Sequence, residues 1–147
     1  MCLAYMKVKG INDDTDYLRI VNKYGDTTNQ ATHQAALKSL GINARFVTNC
    51  SADQLKSELR AGRPAAIGVL HHGTPSHPTG GGHYIAVKGF TDKAWIVNDP
   101  YGELDLATGT WARQGGSSGE GQHYSFANLN PRWVVEGGSS GWAWLFS

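Results

Sequence analysis

His83 and Asp99 are the two side chains whose types and spacing suit proton-transfer chemistry in this sequence. An imidazole takes and returns a proton near neutral pH, and a carboxylate beside it decides which ring nitrogen carries that proton. Three glycines, Gly80 to Gly82, precede His83, and Asn98-Asp99-Pro100-Tyr101-Gly102 follows, with Asp99 sixteen residues after the histidine. The plainer readings are a structural histidine at a strand start and ordinary Asn-Asp-Pro turn chemistry.

The stretch Gly80–Glu103, GGGHYIAVKGFTDKAWIVNDPYGE, must position the pair. It reads as two short strands, with Ile85, Val87 and Phe90 in the first and Trp95, Ile96 and Val97 in the second. Thr91, Asp92 and Lys93 supply the turn between them. Side chains alternate faces along a strand, so register decides whether the two groups meet. A two-residue turn at Asp92-Lys93 pairs Ala86 with Asp99 and turns the carboxylate away from His83. A three-residue turn centred on Asp92 pairs Ile85 with Asp99. His83 and Asp99 are then diagonal neighbours on one face, roughly 7–8 Å apart at Cβ. An odd-length turn is therefore the expectation.

GGGHYIAVKGF followed by WIVNDPYGE resembles the His and Asp segments of the papain-type peptidases that clip double-glycine leaders from bacteriocins. The likeness is to the stand-alone and phage-encoded branch. The stretch GRPAAIGVL resembles the strand before the family's His, and PRWVVEGGSSGWAW resembles the tail of phage-encoded members. Together they cover most of the chain. The resemblance implies that His83 is a general base and Asp99 its orienting partner. It also implies a Cys nucleophile at the start of the first helix, with a Gln just before it for the oxyanion hole.

Neither cysteine matches that nucleophile's place, although Cys2 falls in the first turn of a helix where the chain starts and is a weak candidate for it. MCLAYMKVK reads as the end of a helix, with Leu3 and Met6 on one face and no capping residue ahead of them. Relatives carry the thiol about two turns before a Met that resembles Met1. The expectation is a chain cut at its left edge, with Cys2 a buried helix residue and the nucleophile missing. Cys50 lies before the capping Ser51, where a helix terminus can acidify a thiol, but matches no family position.

His71, His72, His77 and His83, with His123 beyond, suggest a metal site by residue type, yet their spacing matches no zinc motif. They read instead as a solvated loop rimming the site, with no metal and no cofactor expected. Of Trp95, Trp111, Trp133, Trp142 and Trp144, at least three belong in the core, and others can line a groove for a peptide or sugar. Tyr84 faces away from His83 and reads as core.

The remaining chain supplies helices first and strands after, an α+β order. A short helix is expected over Tyr17–Tyr24, stopped by Gly25. Thr27 with Gln30 forms a capping box for a helix running to Gly41. Arg45–Thr48 is a strand, and Ser51 with Gln54 caps a helix to about Ala61 with Gly62 as its stop. Ala65–Leu70 is a buried strand, and His71–Gly82 a loop. Leu104–Arg113 is weakly patterned. Gln114–Gly121 and Gly137–Gly141 are surface loops. Trp142, Trp144 and Phe146 alternate as a closing strand. The resemblance adds a papain-like arrangement, helices packed on a twisted antiparallel sheet with the site at their seam.

The 147 residues suit one domain, and 40% apolar content with 19 glycines suits a loop-rich second half. A net charge of +1 gives no reason to expect nucleic acid or an anionic membrane as partner. No apolar run approaches the roughly 20 residues that span a bilayer. No signal peptide is visible, so synthesis is expected in the cytoplasm, with action on the bacterial cell wall requiring a separate route outward. The functions that follow are a cysteine peptidase acting on the peptides of peptidoglycan, a leader-peptide peptidase, or a non-catalytic peptide-binding module of the same fold.

Overall fold

The computed structural model describes all 147 residues. Six strands form the central sheet, all neighbours antiparallel. They are β1 (Ala44–Cys50), β2 (Ala65–Val69), β5 (His83–Phe90), β6 (Ala94–Asn98), β9 (Gln122–Ser125) and β10 (Gly141–Phe146), in the spatial order β1-β10-β2-β5-β6-β9. Two small hairpins stand outside it, β3 (His72–Thr74) with β4 (His77–Thr79) and β7 (Gly102–Asp105) with β8 (Thr110–Gln114). The helices are α1 (Cys2–Tyr5), α2 (Asp14–Val21), α3 (Gln30–Ser39), α4 (Ala52–Arg60) and α5 (Phe126–Trp133).

Both faces of the sheet are covered, and the alternation of each strand sorts its side chains between them. Ala65, Ile67, Val69, Ile85, Val87, Trp95, Val97, Ala143 and Leu145 face one side, where Leu55 of α4 and Leu129 and Trp133 of α5 complete the core. Ala86 and Phe146 face the other, with Cys2, Leu3, Ile11 and Leu37 from the N-terminal segment. Each fully buried Ile, Leu or Val contributes about 1.5–3 kcal/mol by leaving water. The C-terminal strand β10 does not extend an edge. It inserts between β1 and β2, so both chain halves share one sheet.

Local signals place most helices. Ser51 accepts the Gln54 N–H at 3.1 Å, and α4 stops at Gly62 as expected. For α3 the cap is Asn29, which accepts the Ala31 N–H, and not Thr27. Asp26 takes Thr28 into a side-chain turn that leaves Asn29 as the first residue ahead of the helix. Asp13 caps α2, which begins three residues earlier than Tyr17. The expected His71–Gly82 loop contains the β3–β4 hairpin. Helix α5 has no counterpart in the sequence reading, because Pro131 sits inside it. A proline there costs about 3 kcal/mol, offset by burial of Leu129, Arg132 and Trp133.

Arg132 is wholly buried and gives its guanidinium protons to the carbonyls of Leu70, His72, Gly73 and Leu106. One side chain thereby ties the end of β2, the β3–β4 hairpin and the β7–β8 turn to α5. Those segments carry His71 and Trp111, which wall the candidate site.

Candidate active site

His83 Nε2 lies 2.9 Å from Asp99 Oδ1, with the two side chains 4% and 0% exposed. The hairpin that brings them together is not built as expected. The connection is a two-residue turn at Asp92-Lys93, closed by the Thr91 N–H on the Ala94 carbonyl at 2.8 Å. Thr91 Oγ1 also accepts the Lys93 and Ala94 N–H groups. That turn pairs Phe90 with Trp95 and Gly89 with Ile96. Lys88 is then bulged out of the ladder, and the pairing resumes as Val87 with Val97 and Ala86 with Asn98. Continued by one residue, that register sets Ile85 opposite Asp99. The odd-length turn is thus corrected to an even turn plus one bulged residue, which has the same effect on facing.

The carboxylate is held from three sides. Asp99 Oδ1 accepts from His83 Nε2 and from the Tyr101 N–H at 3.1 Å. Asp99 Oδ2 accepts the Tyr124 hydroxyl at 2.9 Å. Pro100 begins the turn that returns the Tyr101 amide to the carboxylate, an Asx-type closure. The Gln114–Gly121 loop folds over this turn: the Asp99 N–H donates to the Gly119 carbonyl at 2.8 Å, and the Gly121 N–H to Asn98 Oδ1 at 2.9 Å. A Cβ at Gly119 would overlap the Asp99 carbonyl oxygen, so only glycine fits there. This loop, expected at the surface, is part of the clamp on Asp99.

The His83 ring is walled by aromatics. Tyr101 stacks on it at 5.3 Å between centroids, Trp111 meets it edge-on at 5.3 Å, and His71 lies 5.4 Å away. Tyr101 itself is 61% exposed, so a surface side chain covers the imidazole. With its Nε2 proton on Asp99, the ring presents Nδ1 as a base. Nδ1 has no partner in the protein and keeps a trace of solvent contact, since the one fully buried side-chain nitrogen or oxygen lacking a partner is His71 Nδ1. Burial, and the charges of His72 and His83, lower the His71 pKa from its ordinary 6.5.

Neither thiol joins the pair. Cys2 sits in the cluster on the Ala86 face of β5, the face opposite His83. Burial pushes its pKa up to about 11, against the pull of the N-terminal charge. Cys50 closes β1 inside the other cluster, its Sγ 3.5 Å from the Ser51 carbonyl. Burial and the Glu58 charge raise it to about 11 as well. A thiol at that value is almost entirely protonated at neutral pH and a poor nucleophile.

Of the other histidines, His72 stacks on His71 at 4.0 Å, His77 caps the β3–β4 tip through Ser76, and His123 lies on β9 opposite Ile96. No three His, Cys, Asp or Glu side chains gather so as to hold a metal ion. Trp95 and Trp133 are buried in the core, Trp111 and Trp144 are half-buried against the two clusters, and Trp142 is 53% exposed. Tyr84 is not core either. It lies across Gly68 of the neighbouring strand, where a missing side chain leaves room for its ring.

The sequence pattern of the Peptidase_C39 like family matches residues 4–119, a span that contains both His83 and Asp99. The chain belongs to the Peptidase_C39 like family. Among solved structures it is similar to the peptidase domain of Streptococcus ComA, a bi-functional ABC transporter involved in a quorum-sensing pathway. The identity is 17% and the TM-score 0.55, over 96% of this chain and 82% of that one. At that identity the likeness shows the fold, which is α+β and papain-like. No curated protein matches the chain. This C39-like domain is cysteine peptidase-like in fold and family. Tyr124 and Gly119 are the site residues that its sequence did not disclose.

Proposed function

We propose that His83 is the general base and Asp99 its orienting carboxylate in a cysteine peptidase, acting on a thiol supplied by residues joined ahead of Met1. The observation that carries this reading is the 2.9 Å His83–Asp99 bond, which leaves Nδ1 without a protein partner. A base poised in this way takes a thiol proton, and the imidazolium then returns it to the leaving amine. Met1 lines a small cavity with Asn98, Asp99 and Pro100, so a segment joined to Met1 starts beside the turn that carries Asp99. Two further turns of helix ahead of α1 add about 11 Å along its axis. The substrate proposed with this chemistry is the peptide portion of bacterial peptidoglycan, as for a phage lysin. Its support is the likeness of the C-terminal tail to phage-encoded members.

The test compares hydrolysis of cell-wall peptides by the 147-residue chain and by a form extended with its natural upstream residues. The expected result is no turnover by the former, and turnover by the latter that Asp99→Asn lowers by roughly 10³–10⁴-fold. Turnover by the 147-residue chain that Cys2→Ala abolishes would overturn the reading. A second reading, a non-catalytic peptide-binding module, is favoured by the 4% exposure of the His83 side chain beneath Tyr101. Peptide binding without turnover in the extended form would establish it.

A further inference from the structure

We propose that Tyr124 is a positioning residue for the His83–Asp99 pair: its hydroxyl pins Asp99 Oδ2 and so sets the carboxylate rotamer that keeps the His83 proton on Nε2. This deepens the reading of His83 as a base and rests on it.

The accounting of acceptors carries the argument. Asp99 Oδ1 takes two donors, His83 Nε2 and the Tyr101 N–H, whereas Oδ2 takes only the Tyr124 hydroxyl. The Asp99 side chain is 0% exposed, so water does not replace that donor. A buried carboxylate oxygen left bare is costly, and rotation about χ2 toward another donor would relieve it. Such a rotation carries Oδ1 away from His83.

The direction of the Tyr124 proton is itself constrained. The hydroxyl accepts the Leu104 N–H at 2.9 Å, which occupies one lone pair. Its proton then points to Asp99 Oδ2 at 2.9 Å in preference to the Gly102 carbonyl at 3.4 Å. The ring cannot drift, because Tyr124 is 3% exposed within the core and its backbone pairs with Trp95 of β6. Burial first, and then the Asp99 charge, raise the phenol well above the ordinary tyrosine range, so it is a donor at neutral pH. Residue 124 thus spans from the edge strand to the carboxylate and to the start of the β7–β8 hairpin, which carries Trp111.

The test is Tyr124→Phe, which removes one oxygen and keeps the ring. Nitrogen-15 shifts of the His83 imidazole report the tautomer without any substrate, so this proposal fails or stands apart from the hydrolysis experiment. The expected result is a single Nε2–H tautomer in the unaltered chain and a several-fold rise of the Nδ1–H form in a folded Tyr124→Phe variant. An unchanged tautomer in a variant that is merely less heat-stable would overturn the proposal and leave Tyr124 a packing residue. If the variant does not fold, the unaltered chain decides. A slowly exchanging Tyr124 hydroxyl proton with a cross-peak to Asp99 supports the proposal, and exchange at the rate of an exposed tyrosine overturns it.

Discussion

Asp99 meets His83 on one face of the hairpin because Lys88, between them in the chain, has no partner on β6. An even turn at Asp92-Lys93 would otherwise send Asp99 to the face of Ala86. The bulge compensates for the turn, and the pair depends on both.

Deleting Lys88 takes out the bulged residue and leaves a continuous ladder in which Val87 still pairs with Val97 and Ala86 with Asn98, so Ile85 stays opposite Asp99 and His83 keeps its face. The expected outcome is a retained His83–Asp99 hydrogen bond, read as an unchanged Nε2–H tautomer in nitrogen-15 spectra. Deleting Lys88 and Gly89 together slides the strand one residue further, sets Tyr84 opposite Asp99 and sends His83 to the other face, and a mixed tautomer is expected there. A bond lost in the first variant, or retained in the second, would show that register is set elsewhere in the sheet.

Gly119 sits against the turn that carries Asp99, and its missing Cβ is what lets the Gln114–Gly121 loop close there. Gly119→Ala is expected to cost about 1–3 kcal/mol in denaturant unfolding, as overpacking does. Gly138, with nothing within 4 Å of a built Cβ, provides the control, and Gly138→Ala should change stability little. Equal effects at both positions would remove the close-approach argument.

His71 makes stability depend on pH with a definite sign. Its folded pKa lies below the unfolded value of 6.5, because burial and the facing His72 and His83 disfavour its charge, while Asp99 only partly offsets them. The unfolded chain therefore binds the proton first as pH falls. The stabilising contribution is complete above about 6.5 and is lost as pH drops through the folded value. Melting temperatures from pH 7.5 to 5 should fall more steeply for the unaltered chain than for His71→Gln. Parallel curves would show that His71 does not contribute.

How much was legible beforehand follows from the range of each interaction. The alternation of Ile85 with Val87, the Ser51 cap with Gly62 as stop, and the final Trp142-Trp144-Phe146 alternation rest on neighbours within a few residues, and they read directly as elements. The His83–Asp99 pairing was legible for the same reason, since both ends belong to one hairpin. Its mechanism was half-signalled: Gly89 inside a strand pattern is a known mark of a bulge. The donor to Asp99 Oδ2 lies 25 residues further on, on a strand whose place beside β6 no local pattern specifies. Helix α5 forms around Pro131 because its buried face outweighs the broken backbone bond, a balance that exists only once the sheet is there to pack against.

Residue types and their short-range periods thus settled which segments become strands and helices, and which imidazole could face which carboxylate. Assembly of the sheet settled the rest: β10 between β1 and β2, Tyr124 on Asp99, Arg132 on four distant carbonyls, and both thiols away from His83. Those contacts join residues far apart in the chain. Their free energy comes from burial and desolvation, which have no value until the elements meet.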